Sequence, residues 1–279
     1  MKSKIKNKKK TKILTFKSFQ NSSAKTTLVQ NIGYELANQG YKILIVDADF
    51  SCRLSYLFDC DLNNKKDIFN AYKNSEWNEP VDIKKYISNT KYENLDIVNS
   101  TYEMININRE FQGKPYKEDT FINIFKKLVG ENIYDLIIFD CNNNFSSLNY
   151  SILCTSDYVI IPLVINPIEV IGLEIILKDI NSIKRTNEKL ELLGFIKSKV
   201  SDSNSCEEAI KKVDKKSEEY KVSFFENYTS YDENIFKSQL EKIPLGVYTN
   251  KYNISSKTVK EFKNLAEEIL IRTNKEKSK

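Results

Sequence analysis

From Lys12 onward the chain alternates short runs dense in Ile, Val, Leu and Phe with longer segments whose apolar residues return every three or four positions. The first kind reads as strands: 13–19 (ILTFKSF), 42–47 (KILIVD), 94–98 (NLDIV), 134–140 (YDLIIFD), 157–162 (DYVIIP), 191–197 (ELLGFIK) and 221–226 (KVSFFE). Several are almost continuously apolar, the pattern of strands buried on both faces. The second kind reads as helices. Segment 27–39 sets Val29, Ile32 and Leu36 on one stripe and stops at Gly40, a residue suited to a left-handed helix end. Segment 167–185 starts at Pro167, tolerated in a first turn, and carries Val170, Leu173, Leu177 and Ile180 at helical spacing. Residues 254–271 align Ile254, Val259, Phe262, Leu265, Ala266, Ile269 and Leu270 against a face of Lys and Glu. The stretch 75–117, with Trp77, Pro80, Gly113 and Pro115, keeps no period and reads as a connecting excursion. Strands alternating with helices predict an α/β fold: a mostly parallel sheet of seven or eight strands with helices on both faces. It forms one domain over 13–272, between a basic tail (1–12) and a polar tail (273–279).

Composition fits that picture. A chain of 279 residues with 41% apolar and 29% charged positions can bury a full core, so disorder is not expected. No run approaches the roughly eighteen apolar residues a membrane span requires, and the lysine-rich start leads into a charged strand, so a soluble, cytoplasmic protein without membrane insertion is expected. The five cysteines form no CxxC pair and the chain has no histidine, which argues against a zinc site and for reduced thiols filling space. The formal charge of +5 is a property of the tail: residues 1–12 hold seven lysines and no acid, which leaves −2 for everything after them. Such a tail is either a solvated extension or an electrostatic arm for nucleic acid or anionic lipid.

The candidate chemistry lies after the first strand, where Gln20-Asn21-Ser22-Ser23-Ala24-Lys25-Thr26-Thr27 leads into a helix. This is the setting of a phosphate-binding loop: backbone N–H groups and a helix N-terminus cradle phosphates, a lysine reaches their outer oxygens, and a hydroxyl holds Mg²⁺. Lys25, Thr26 and Thr27 stand where those tasks need them.

At these residues the chain resembles the ParA/MinD family of P-loop ATPases, whose loop reads KGGxGKT[TS], and the likeness runs through nearly the whole length. Val46-Asp47-Ala48-Asp49-Phe50-Ser51 is similar to the family's DxD-P-Q segment, and Leu54-Ser55-Tyr56-Leu57-Phe58 to the short helix after it. Asn94 to Val98 resembles a family strand, Tyr134 to Cys141 resembles YDxIIIDxPP, Ser156 to Pro162 resembles aDxviiP, and Leu265 to Leu270 resembles the closing helix. The resemblance implies ATP and Mg²⁺ as ligands, with Asp49 positioning the attacking water, Thr26 and Asp140 holding the metal, and Asp47 supporting it. Acids at strand ends also commonly cap the following turn, which is the plainer reading of all three aspartates.

The loop departs from the family at every glycine: Asn21, Ser22 and Ala24 take those places, and no glycine occurs before Gly33. Glycine serves there because it takes positive φ freely and lets amides approach phosphate, so its replacement stores strain on the order of 1–3 kcal/mol. Gln20 replaces the signature lysine that reaches the partner's phosphates in ParA-like dimers, Phe50 replaces a switch proline, and Asn142-Asn143 replaces Pro-Pro. A neutral amide brings no charge to a phosphoryl transition state stabilised mainly by electrostatics.

The resemblance therefore implies a nucleoid-associated partition or positioning protein. It would dimerise with ATP, bind DNA non-specifically through Lys184, Arg185, Lys257, Lys260 and Lys263, meet a ParB-like partner, and hydrolyse slowly or not at all. The competing expectation is an inactive scaffold that binds a partition partner or cargo without nucleotide turnover. Scattered cysteines argue against an iron–sulfur reductase relative, the absence of tyrosine after Tyr252 against a tyrosine-kinase relative, and the polar C-terminus against a MinD-like membrane helix.

Overall fold

A computed structural model describes residues 10–20, 23–75, 81–106, 119–200 and 207–274. Among these residues seven strands form one sheet: β1 (Lys12–Phe16), β2 (Ile43–Ala48), β3 (Ser88–Asn89), β4 (Leu95–Val98), β5 (Leu136–Cys141), β6 (Tyr158–Leu163) and β7 (Glu191–Lys197). Their order is β3-β4-β2-β5-β1-β6-β7, parallel throughout except for the short antiparallel edge strand β3. The helices are α1 (Lys25–Asn38), α2 (Arg53–Leu57), α3 (Ile68–Lys73), α4 (Asp119–Glu131), α5 (Ser147–Thr155), α6 (Pro167–Ile183), α7 (Glu207–Tyr220), α8 (Glu233–Leu240), α9 (Leu245–Tyr252) and α10 (Lys257–Asn274).

The strand period of two divides the apolar runs between two faces. Leu14, Phe16, Ile43, Ile45, Leu136 and Ile138 meet Leu28, Ile32 and Leu36 of α1 and Phe262, Leu265 and Ile269 of α10. Ile13, Leu44, Val46, Ile137 and Phe139 face the other way, onto Phe69 of α3, Phe121 and Phe125 of α4 and Ile152 of α5. On that side Val159, Ile161 and Phe195 continue the core beneath Leu173, Leu177 and Ile180 of α6. Double-sided burial explains why these strands read as unbroken apolar runs.

Six of the seven sequence-read strands form within two or three residues of their expected ends. The exception is 221–226, which makes only an isolated bridge between Phe195 and Phe224. Arg272 of α10 takes the backbone there: Nη1 donates to the Leu193 carbonyl at 2.9 Å and Nη2 to the Phe224 carbonyl at 2.5 Å, with the guanidinium 4.1 Å from the Phe225 ring. Gly194 beside it has φ of 152°, and a Cβ there would lie 2.7 Å from the Ser223 carbonyl. Carbonyls committed to a side chain cannot extend a ladder. The tail boundaries also move. Lys12 opens β1, Thr11 is buried and donates Oγ1 to the Tyr134 carbonyl at 2.6 Å, and buried Thr273 lies within α10. Residues 1–9 and 275–279 lie outside the described residues, as do Trp77, Pro80, Gly113 and Pro115.

Replacing Arg272 with Met keeps the stem but takes this donor from two part-buried carbonyls and the cation from Glu268, so urea denaturation should show a loss of about 2–4 kcal/mol. A loss under about 0.5 kcal/mol, the range of an ordinary surface substitution, would remove Arg272 from this role.

Candidate functional site

Parallel pairing sets the site before any side chain is considered. β2, β5 and β1 are neighbours, and the register pairs Asp47 with Asp140 and Phe16 with Asp140. The C-terminal ends of three adjacent strands therefore bring together the loop after β1, the turn after β2 and the turn after β5. In open α/β sheets ligands bind at such an edge. Here it borders a cleft of about 540 Å³, within the range for small-molecule sites.

Asp140 is fully buried and accepts from two loop residues, Lys25 Nζ to Oδ1 at 3.0 Å and Thr26 Oγ1 to Oδ2 at 2.7 Å. Burial opposes the Lys25 charge, but Asp140 and then Asp49 more than offset it, so the ammonium's pKa is held above its ordinary value. Asp47 is also fully buried; its Oδ2 accepts from Ser55 N and Oγ at 2.8 and 2.7 Å, and its Oδ1 from Asp49 N at 3.1 Å. Burial, with the Asp140 charge second, pushes its pKa up to about 7 despite those bonds. Asp47 thus ties α2 and the turn to β2 from beneath the cleft, as the plainer reading of strand-end acids expects. Asp49 itself lines the cleft and anchors the turn by accepting from Ser51 N at 2.9 Å.

Of the expected phosphate loop, Gln20 and Ser23 to Thr27 all border the cleft, while Asn21 and Ser22 lie outside the described residues. Ala24 adopts φ 61°, ψ 19°, the left-handed conformation that a glycine would take freely. The backbone keeps the geometry and the side chain carries its cost. Ala24 gives α1 no side-chain cap, so the helix N-terminus faces the cleft with its amides open to an anion. Ser23 is fixed from both sides, its Oγ donating to the Gln20 carbonyl at 3.1 Å and its own carbonyl accepting from Ser198 Oγ at 2.9 Å. Thr27 Oγ1 accepts from Gln239 of α8 at 3.0 Å.

The donor set fits a Mg²⁺–nucleotide. A hydroxyl and a carboxylate meet at Thr26 and Asp140, a lysine stands beside them, and Ser51 Oγ is buried at the cleft wall with no partner among the described residues. Asn143 lines the cleft where the resemblance expects proline, and Phe50 is half-buried against the α3–α5 side of the core. Three cysteines, Cys52, Cys60 and Cys141, are pushed up to about 12 by burial, in keeping with inert thiols.

A family model described as an AAA domain matches residues 11–192. The chain belongs to the ParA/MinD-type P-loop family. A virulence plasmid ParA family protein, pGP5-D, of Chlamydia psittaci is 27% identical over 197 residues, covering 70% of this chain and 71% of that protein. The fold is shared with a plasmid partition protein of Borrelia burgdorferi solved with AMPPNP, at TM-score 0.68 and 21% identity, covering 95% of this chain and all of the other. Cobyrinic acid a,c-diamide synthase of Mycobacterium smegmatis, solved with ADP and magnesium, superposes at TM-score 0.76 with 18% identity, covering 95% and 96% of the two chains.

The expected DNA-contacting residues are not brought together. Glu261, one residue after Lys260, accepts from Ser230, whose bridge to Val200 lies just past the C-terminal end of β7, so Lys257 and Lys260 open α10 at that end of the sheet, while Lys263 acts on Glu35 in the last turn of α1. Lys184 borders a groove with Glu191 and Arg272 at the opposite strand ends, and Arg185 follows it. Lys17, Ser198 and Gln239 carry no motif signal. The only local hint was a lysine inside the apolar run ILTFKSF.

Ala24→Gly should raise stability by about 1–2 kcal/mol, the cost of a left-handed Cβ. Thermal melts with and without this substitution measure it; an unchanged or lowered melting temperature would mean that Ala24 sits there unstrained.

Proposed function

We propose that this chain is a ParA-like positioning protein whose cleft binds ATP with Mg²⁺, and that its turnover is slow or absent. One observation carries the reading: Lys25, Thr26, Asp140 and Asp49 converge at the ends of three neighbouring strands, around an uncapped helix N-terminus. Lys25 and Thr26 would meet the outer phosphates and the metal, Asp140 would hold the metal region through Thr26, and Asp49 faces the volume a water nucleophile would use. Magnesium would neutralise phosphate charge there. The nucleotides and magnesium with which similar structures were solved support the same ligand class.

Slow turnover follows from what is missing. Gln20 offers no charge, and the Lys25–Asp140 pair must be loosened before Lys25 can serve a phosphate. Homodimerisation, contact with DNA and a ParB-like partner belong to the same reading. Tyr56, Tyr102, Phe236 and Leu240, exposed by 49%, 66%, 65% and 63%, surround the cleft and suit a face that closes on a second copy. The left-handed Ala24 and neutral Gln20 favour a second reading, a scaffold that binds partner or cargo without turnover.

Calorimetry of ATP with Mg²⁺ separates the two. Lys25→Ala and Thr26→Ala should each weaken binding at least about tenfold, the loss of a charge-assisted contact or a metal ligand. Unchanged affinity in both would place nucleotide elsewhere, and no binding by the wild-type chain would leave the scaffold. For DNA, deleting residues 1–9 removes five lysines without touching β1. Affinity for duplex DNA should fall and its salt dependence flatten by up to about five charges' worth, with the melting temperature held. An identical salt slope would assign binding to the helix faces instead.

A further inference from the structure

Lys17 follows β1 directly and is fully buried, yet it forms no ion pair among the described residues. Its Nζ donates to the Asn144 carbonyl at 2.8 Å and the Asn142 carbonyl at 3.3 Å, and stands 5.0 Å from the centre of the Phe145 ring. Those carbonyls do not depend on it. Asn149 of α5 donates Nδ2 to the Asn142 carbonyl at 3.1 Å and also to the Asn144 carbonyl. A buried ammonium is costly, and here an apolar side chain would leave no carbonyl orphaned. Burial accordingly drives its pKa down to about 8, with a smaller lowering effect of Lys25, against smaller effects of Cys141, Asp179 and Asp49 that raise it.

The position of this cation suggests why it is kept. The turn it holds carries Asn143 into the cleft, and Ser18, next to Lys17, has its Oγ 3.0 Å from both the Gln20 carbonyl and Asn143 Oδ1, which share its one proton. Lys17 therefore lies under the seam between the phosphate loop and the turn after Asp140. We propose that Lys17 is a positioning residue of the phosphate end of the cleft, a cation set into its floor that supplies the positive field Gln20 does not. It touches no ligand and acts through the turn and the loop above it. The inference rests on the nucleotide reading. It assigns to one strand-end residue part of the electrostatic work that the family loop gives to an exposed lysine.

The test is ATP–Mg²⁺ calorimetry on the full chain at pH 7 and pH 9.5, with Lys17→Gln, which keeps a donor without the charge, and Lys17→Met, which keeps neither. Both should weaken binding about tenfold at pH 7, as a unit charge several ångströms from a phosphate implies, and the gap should close at pH 9.5, where wild-type Lys17 is neutral. Lys25, whose pKa is raised, stays charged throughout. Stability gives a second readout. With a native pKa near 8 and an unfolded one near 10.5, the folded state sheds its proton first, so the cost of the charge is full below pH 8 and is relieved as pH rises toward 10.5. Lys17→Met should therefore melt at or above wild type at pH 7, with the difference shrinking at higher pH. Wild-type affinity in Lys17→Gln at pH 7, or a gap unchanged at pH 9.5, would overturn the inference while loss of binding in Lys25→Ala keeps the nucleotide reading. Melting of both variants well below wild type at pH 7 would make Lys17 a packing residue, and absence of ATP binding by wild type would overturn both.

Discussion

The site depends on a single carboxylate in the middle of the sheet. Asp140 lies one residue before the end of the central strand β5, and its two oxygens hold Lys25 and Thr26, which open α1 after the loop that follows β1. Removing one partner of such a buried pair costs about 3–5 kcal/mol, because the other charge is left in a low-dielectric interior. The same pair is the one a phosphate and metal would have to enter. Fold and candidate chemistry thus share a contact: the bonds that seat the loop when nothing is bound are the groups a nucleotide would use, and binding must exceed the energy of parting them.

Around that contact the protein keeps family geometry with unfamiliar side chains. Ala24 holds a left-handed angle where the family loop has glycine, Asn142 and Asn143 stand in place of the prolines, and Asn149 and Lys17 hold that turn by its carbonyls. Backbone shape here is enforced from several sides, by Ser198 on the loop, Gln239 on the first turn of α1 and Ser55 on Asp47. Strain at one residue persists where its surroundings over-determine it. This is how a loop with no glycine retains an anion-facing helix N-terminus.

The strands were legible because burial on both faces writes itself locally as Ile, Val and Leu, and the site was legible wherever a motif has a fixed spacing: Lys25, Thr26, Asp47, Asp49 and Asp140. The apparent strand at 221–226 misled for the same reason that the others succeeded. Its apolar content is real, since Val222 and Phe225 are buried, but apolar residues report burial and not ladder pairing, and Arg272 arrives from 48 residues away to take the Phe224 carbonyl. Thr11 and Lys12 read as tail because charge and polarity describe a residue alone, whereas Thr11 is held by Tyr134 across the sheet edge.

The amino-acid sequence by itself determined the fold class, the order of strands and helices, and the residue types gathered near the phosphate loop, because periodicity and motif spacing are local and survive in a single chain. Tertiary structure alone decided which of the acids meets the lysine, that Asp47 braces from below while Asp49 faces the cleft, that the basic helix ends lie on opposite sides of the sheet, and that Lys17 is buried under the loop. These depend on strand register and on groups brought together by the fold, Asp140 to Lys25 and Asn144 to Lys17 across more than a hundred residues, and the energy of a buried charge is set by what surrounds it rather than by its neighbours in sequence.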